Sequence, residues 1–133
     1  MALFVIASVF SGLLVSTLLK NAFQRPRPDL VPFGSYVSSP SFPSGHSMLS
    51  AVTYLTLGAL LAQVVRGRVL KLYFIFLAFA ATFLVGVSRV YLRVHWPTDV
   101  LAGWTAGLVW SVLCLLVARA LQRRGAVEKD TDN

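Results

Sequence analysis

Charged residues are scarce in this chain of 133 residues, and acidic residues are the scarcest. Only 13% of the residues are charged, whereas 56% are hydrophobic, and the mean hydropathy is +0.72. This composition is too apolar for the surface of a small water-soluble domain and excludes that class. Twelve basic and five acidic residues give a net charge of +7. Three of the acids lie in the last six residues, which leaves Asp29 and Asp99 for the rest of the chain.

Cysteine is nearly absent as well. The single Cys114 cannot form an internal disulfide and belongs to no metal-ligand pattern, so we expect neither a disulfide framework nor a metal site. An excess of basic residues is typical of proteins that bind nucleic acid, a membrane surface or an anionic substrate. Here the basic residues flank apolar runs and form no soluble basic face, which excludes nucleic acid as a partner.

Long hydrophobic runs are what the chain does have. Four of them, at about 2–19, 47–65, 71–90 and 99–119, approach the 20 or so residues that a helix needs to cross a bilayer. The sequence therefore predicts an all-α, polytopic membrane bundle of four transmembrane helices over residues 1–124, followed by a polar tail at 125–133. A signal peptide is the alternative for the first run, but no basic residue precedes that run and no small-residue cleavage site follows it.

The polar residues between the spans fall into three clusters. The first follows the first span and contains Lys20 and Arg27-Pro28, and the second, Pro43-Ser44-Gly45-His46, opens the second span. The third precedes the last span and has the form Ser88-Arg89, five residues, His95, three residues, Asp99. Polar groups gathered at one end of an apolar bundle indicate a functional site.

These residue types suit a phosphate ester. Lys20, Arg27 and Arg89 supply cations for the phosphate oxygens. Backbone N–H groups at Ser44, Gly45 and His46 lie at a predicted helix start, where unpaired donors and the helix dipole favour an anion. The sequence therefore predicts a binding pocket for a phosphate dianion.

The two histidines provide the chemistry. Asp99 follows His95 by four residues, so its carboxylate can reach one ring nitrogen and leave the other nitrogen free to attack phosphorus. His46 is then placed to protonate the leaving alkoxide. Each residue also has a structural explanation: Asp99 as a first-turn acid, His46 as an interfacial histidine and Ser44 as a turn residue.

The three clusters resemble the signature of the type 2 phosphatidic acid phosphatases, the membrane branch of a superfamily that includes vanadium haloperoxidases. K-x6-RP, PSGH and SR-x5-H-x3-D are met at every fixed position, and the resemblance spans Leu13 to about Leu116. It implies a metal-independent, cofactor-free phosphatase with a phosphohistidine on His95 and His46 as general acid. The expected phosphate-binding residues are Lys20, Arg27, Ser44, Gly45 and Arg89, with Asp99 paired to His95.

Members usually have six spans with the signature in the last four, so we expect this chain to correspond to those four. The implied substrates are phosphatidic acid, phosphatidylglycerol phosphate, undecaprenyl pyrophosphate or a phosphorylated lipid A, and the sequence does not choose among them. A lipid-phosphate-binding protein without turnover is the main alternative, and haloperoxidase chemistry on bound vanadate is a more distant one. A homo-oligomer could cover the face left by the missing spans.

Basic residues also predict the topology. Four spans place the connections at 20–45 and 88–99 on one side, and the turn at 66–71 and the C-terminus on the other. If Lys20, Arg27 and Arg89 serve a site, only Arg25 and Arg93 remain on the first side as ordinary topology signals. The second side is then the cytoplasmic one, and the site faces outward across a bacterial inner membrane. The basic residues on this cytoplasmic side are Arg66, Arg68, Lys71, Arg119, Arg123 and Arg124.

Two smaller expectations concern packing. Gly103 and Gly107 form a small-xxx-small face that we expect to pack within the bundle rather than to mediate dimerisation. Asp29 is expected to pair with Arg25 or Arg27.

Overall fold

A computed structural model, which describes residues 2–28 and 39–131, consists of four α-helices. They are α1 (Ala2–Phe23), α2 (Gly45–Val64), α3 (Arg68–Tyr91) and α4 (Pro97–Thr131). All four are long and apolar enough to cross a membrane, α4 over Pro97–Arg124. The predicted all-α bundle of four spans is therefore confirmed. Helix α4 continues to Thr131, so the helix includes part of the predicted polar tail.

The helix starts follow from local capping chemistry. Ser44 caps α2, because its hydroxyl oxygen accepts from the backbone N–H of Ser47 at 3.4 Å. Pro97 is the first residue of α4, and Asp99 in the first turn accepts from the backbone N–H of Trp96 at 2.9 Å. Two of the predicted site residues, Ser44 and Asp99, thus also fix where the helices begin.

Helix α2 is the centre of the bundle. It contacts α1, α3 and α4, whereas α1 and α3 make no contact with each other. Its buried residues are mostly small, which allows three neighbours to approach closely; they are Ser47, Met48, Ser50, Ala51, Val52, Thr56, Gly58 and Ala62. The outer faces of α1, α3 and α4 expose large apolar side chains such as Phe10 and Phe76, as a lipid-facing surface requires.

The small-residue face of α4 packs against α2. A Cβ atom added at Gly107 would lie 2.5 Å from the carbonyl oxygen of Met48, and one at Gly103 would lie 2.7 Å from that of Ser44. Only glycine permits this backbone approach at either position. The packing predicted for this face is therefore confirmed, and it holds the start of α2 next to the start of α4.

Candidate active site

A cavity of about 430 Å³ lies at the end of the bundle where α1 and α3 end and α2 begins. Six of the eight predicted site residues line it, and among the lining residues none is acidic. Ser44 and Asp99 are fully buried and do not line it. The lining residues are Leu13, Ser16, Thr17, Lys20, Arg27, Ser39, Gly45, His46, Leu49, Arg89, Val94 and His95.

His95 forms part of the cavity wall and is only 4% exposed. Its Nε2 lies 3.4 Å from Arg27 Nη1. A guanidinium can only donate, so this contact favours an unprotonated Nε2 and a proton on Nδ1. Nδ1 lies 3.6 Å from Asp99 Oδ2, which is longer than a hydrogen bond. Burial, followed by the nearby Arg27 cation, lowers the pKa of His95 to about 4, so the imidazole is neutral at pH 7.

The Asp99 carboxylate is held by groups from both connections. Its Oδ1 accepts from Arg25 Nη1 at 3.0 Å, and its Oδ2 accepts from the Ser41 hydroxyl and from the backbone N–H of Trp96. The sequence indicates only a topology signal at Arg25 and misses this contact, an ion pair between Arg25 and a buried carboxylate. The partner suggested for it, Asp29, lies outside the described residues.

Arg27 joins the two connections. Its guanidinium donates to the backbone oxygen and hydroxyl of Ser39, at 3.0 and 2.9 Å, and to the carbonyl oxygen of Val94 at 2.9 Å. These contacts hold a delocalised cation against the cavity next to His95. Arg27 is therefore fixed in place before any anion binds.

The other two cations of the cavity come from helix ends. Lys20, in the last turn of α1, donates from Nζ to the carbonyl oxygen of Pro40 at 3.2 Å. Arg89, in the last turn of α3, donates from Nε to the Ser88 hydroxyl at 3.2 Å. Each retains further N–H donors for an anion, since an ammonium has three and a guanidinium has five.

The start of α2 contributes backbone rather than hydroxyl donors. The Ser44 hydroxyl oxygen accepts from the Ser47 backbone and from the Ser47 hydroxyl, so it serves the helix cap and not the cavity. Gly45 and His46 line the cavity, and their backbone N–H groups have no acceptor among the described residues. A Cβ atom at Gly45 would lie 3.5 Å from Lys20 Cε and from the Ser16 hydroxyl oxygen, on two residues that line the cavity. Such N–H groups at a helix start bind anions well.

Sequence reasoning missed several cavity residues. Ser16 lies one turn before Lys20 on α1, and Ser39 contacts Arg27. Helical spacing from Lys20 could have indicated Ser16, because residues four apart share a helix face. No pattern in the sequence indicates Ser39. Together the groups can bind a dianion, present an imidazole lone pair to it and donate a proton from His46.

Comparisons with known proteins agree on the family. Residues 1–123 of the chain match the family model of the PAP2 superfamily. The chain is 42% identical over 98 residues to phosphatidylglycerophosphatase B of Bacillus subtilis, an alignment covering 72% of this chain and 47% of that protein. It is 36% identical over 118 residues to a lipid A 1-phosphatase of Rhizobium johnstonii, covering 82% of this chain and 44% of the relative.

A solved structure gives the same answer. The crystal structure of a transmembrane PAP2-type phosphatidylglycerolphosphate phosphatase from Bacillus subtilis superimposes with a TM-score of 0.79 at 36% identity. The match covers 89% of this chain and 59% of that one, so the chain spans about half the length of the relatives it matches. With its four membrane-length helices and the family match over residues 1–123, the chain is a multi-pass membrane protein that belongs to the PAP2 superfamily.

Proposed function

We propose that this protein hydrolyses a phosphomonoester or pyrophosphate of a membrane lipid through a phosphohistidine intermediate on His95. One observation carries the proposal. The buried, neutral His95 lines a cavity that three cations line and that has no acidic lining residue among those described, and its Nε2 lies 3.4 Å from Nη1 of Arg27, one of these cations. A lone pair on nitrogen, next to cations that neutralise an incoming phosphate, is the arrangement that nucleophilic attack on phosphorus needs.

In the first step, His95 Nε2 forms a bond to phosphorus as the bond from phosphorus to the leaving oxygen breaks. Lys20, Arg27 and Arg89 stabilise the charge on the three equatorial oxygens, together with the N–H groups of Gly45 and His46. His46, which is exposed to the cavity, gives its proton to the leaving alkoxide or phosphate. The lipid product leaves as an alcohol or as a lipid monophosphate.

In the second step, water attacks the phosphohistidine. His46, now neutral, accepts the water proton, the N–P bond breaks, and inorganic phosphate leaves with His95 restored. The three cations supply the charge stabilisation that a metal ion supplies in many other phosphatases, so we propose a metal-independent reaction. Activity is then expected to survive EDTA and to be inhibited by vanadate.

A lipid substrate is supported by the depth of the cavity. Leu13 and Leu49 line it along with the charged groups, and Leu13 precedes Lys20 by about two helical turns, or roughly 10 Å. The headgroup can therefore bind at the polar end while the chains remain in the bilayer. The curated relatives are named for phosphatidylglycerophosphate and lipid A. Both names fit an anionic lipid phosphate, the class we propose here.

We further propose that the cavity faces away from the cytoplasm and that the C-terminus is cytoplasmic, because six basic residues flank the opposite end of the bundle and three of the five at the cavity end line the cavity. Replacing Cys114 by Ser and the exposed Arg93 by Cys gives one thiol in the 88–99 connection. A membrane-impermeant maleimide is expected to label it in intact cells stripped of any outer membrane. Labelling only after cell lysis would show that the 88–99 connection lies in the cytoplasm and would contradict the proposed orientation.

The decisive experiment measures phosphate release by the purified chain in detergent, from a panel of short-chain lipid phosphates and pyrophosphates. His95→Ala is expected to abolish release, whereas Arg93→Gln, an exposed arginine outside the cavity, is expected to leave it unchanged. Quenching a 32P-labelled reaction in alkali, in which phosphohistidine is stable, should give labelled wild-type protein and unlabelled His95→Ala. Release by His95→Ala would overturn the mechanism, and lipid binding without release would indicate a binding protein.

A further inference from the structure

Arg25 does not line the cavity, yet it contacts Asp99, the carboxylate next to the candidate nucleophile His95. Its Nη1 lies 3.0 Å from Asp99 Oδ1 and 2.8 Å from the Thr98 hydroxyl, and its guanidinium stacks 5.6 Å from the centre of the Trp96 ring. The Arg25 side chain is 40% exposed, whereas that of Asp99 is fully buried. The arginine therefore closes the outer side of a carboxylate that water does not reach.

Asp99 needs a cationic partner at this place. A buried carboxylate is stable as an anion only when it is paired or well hydrogen-bonded. His95 is neutral and lies 3.6 Å away, so it does not provide the charge. Among the described residues, Arg25 is the one permanent cation within 4 Å of the carboxylate.

The contacts also determine which way the carboxylate points. Arg25 holds Oδ1, which leaves Oδ2 for the Ser41 hydroxyl, the Trp96 N–H and the nearby His95 Nδ1. The Arg25 carbonyl oxygen accepts from the Ser41 backbone N–H at 2.8 Å. Arg25 thus acts on both carboxylate oxygens, directly on Oδ1 and through Ser41 on Oδ2.

We propose that Arg25 is a positioning residue: it holds the Asp99 carboxylate turned so that Oδ2 faces His95 Nδ1, which keeps the His95 proton on Nδ1 and the lone pair on Nε2. The catalytic consequence rests on the proposed phosphatase function, but the effect on His95 itself does not. The charged and titratable groups around His95 are Lys20 from α1, Arg27 from the first connection, His46 from α2, Arg89 from α3 and Asp99 from α4.

The first test is independent of turnover. The chain contains two histidines, so 15N-histidine NMR of the detergent-solubilised protein gives two rings to assign, with His46→Asn identifying His95. Wild-type His95 is expected as the neutral Nδ1–H tautomer at pH 6. Arg25→Gln removes the cation that is paired with Asp99 and leaves the carboxylate charge to act on His95. The protonation midpoint of His95 should therefore rise by about one pH unit. Arg25→Lys, which retains the charge, and the exposed control Arg93→Gln should both retain the wild-type midpoint.

The second test measures turnover with dioctanoyl phosphatidic acid as the probe. Arg25→Gln is expected to lower kcat by roughly tenfold to a hundredfold, as loss of a group that orients a histidine typically does. KM should change by less than about twofold, because Arg25 does not line the cavity. Arg25→Lys should recover part of kcat. A partly unfolded population would also lower the apparent kcat without changing KM, but it would not move the titration midpoint of His95, so the first test distinguishes the two.

An unchanged tautomer and midpoint in folded Arg25→Gln would overturn the proposal. If Arg25→Gln does not fold, Arg25→Lys decides: the proposal requires a lower kcat at an unchanged midpoint, and an unaltered kcat overturns it. Failure of the proposed function gives a different result. In that case the wild type releases no phosphate from any lipid, while the NMR shift in Arg25→Gln is still observed.

Discussion

Asp99 combines a structural and a proposed chemical role in one carboxylate. As a first-turn acid it accepts from the Trp96 N–H and caps α4, and the same Oδ2 lies nearest to His95 Nδ1. The structural explanation from the sequence, an acid that complements the helix start, is therefore also true. Because one atom serves both, the start of α4 and the orientation of His95 cannot vary independently.

Protonation of His95 is expected to destabilise the fold in mild acid. Its pKa of about 4 in the folded chain lies below the ordinary 6.5, so between these values the unfolded chain binds a proton that the folded chain does not. Stability therefore falls as the pH drops from 6.5 to 4, by about 3 kcal/mol at most. Unfolding in detergent at pH 7 and pH 4.5 measures the loss, most of which His95→Gln should remove. The pKa of His46 is also lowered, by burial and by the nearby Arg89, Lys20 and Arg27, so His46→Gln, which changes the more exposed histidine, should remove a smaller share.

The proposed general acid predicts a dependence on the leaving group. Alkyl phosphates need a proton on the departing oxygen, whereas a nitrophenolate leaves without one. His46→Ala is therefore expected to lower kcat for alkyl phosphates by about 10²-fold or more and to affect p-nitrophenyl phosphate much less. Comparison of kcat for the two substrates checks this. Equal losses on both would remove His46 from the role of general acid.

Sequence reasoning reached the residues that motif spacing fixes, and it missed those that only the folded chain brings together. The three motifs lie where helices start or end, and this places Lys20, His46 and Arg89 at the cavity. Arg25 could not be found this way, because its partner lies 74 residues further along the chain. Ser44 shows a different limit: serine both caps helices and binds phosphate, and the sequence does not tell which way the hydroxyl points.

At the scale of the helices, apolar runs predicted the spans well and their ends less well. Helix α3 was predicted at about 71–90 and extends over Arg68–Tyr91, because Arg68 can continue a helix into the interface with its charge towards water. The apolar run of the second span begins at about 47, whereas α2 begins at Gly45, the helix start that the second cluster predicts, because Ser44 provides the cap.

The contact between α2 and α4 is expected to tolerate no added carbon at Gly107. A Cβ there would lie 2.5 Å from the Met48 carbonyl oxygen and 2.6 Å from Ala51 Cβ, so the backbones must separate. Gly107→Ala should destabilise the protein by about 1–3 kcal/mol, measured by unfolding in mixed detergent micelles. The control Ala120→Val adds two methyl groups on an exposed face of the same helix. Similar stability of Gly107→Ala and wild type would contradict this packing.

At the scale of the whole molecule, the site joins the first and second halves of the chain at one end of the bundle. Lys20 and Arg27 belong to the first helix and the connection after it, whereas Arg89 and His95 belong to the third helix and the connection before the last. Direct contacts cross the same gap, such as Arg27 Nη1 to the Val94 carbonyl oxygen and Trp96 Nε1 to that of Pro26. An anion in the cavity adds a further link between these parts.

Vanadate or phosphate is therefore expected to stabilise the folded protein. A ligand at 100 times its dissociation constant, bound only by the folded state, adds about 2.7 kcal/mol. The melting temperature in detergent should rise with vanadate concentration, and Arg89→Gln, which removes a cation of the cavity, should reduce the rise. A rise of equal size in Arg89→Gln would place the bound anion elsewhere.

The long separation between these partners has a consequence for the order in which the protein is made. Helices α2 and α3 are joined by a short turn and can pair as soon as both have entered the membrane. The contacts of Arg25 and Arg27 with Asp99 and Val94 span 74 and 67 residues, so they must wait for the last part of the chain. A ribosome that stops after α3 has made every cation of the cavity but not His95. During synthesis, then, the cations of the cavity are made before the residue that is proposed to react with the anion.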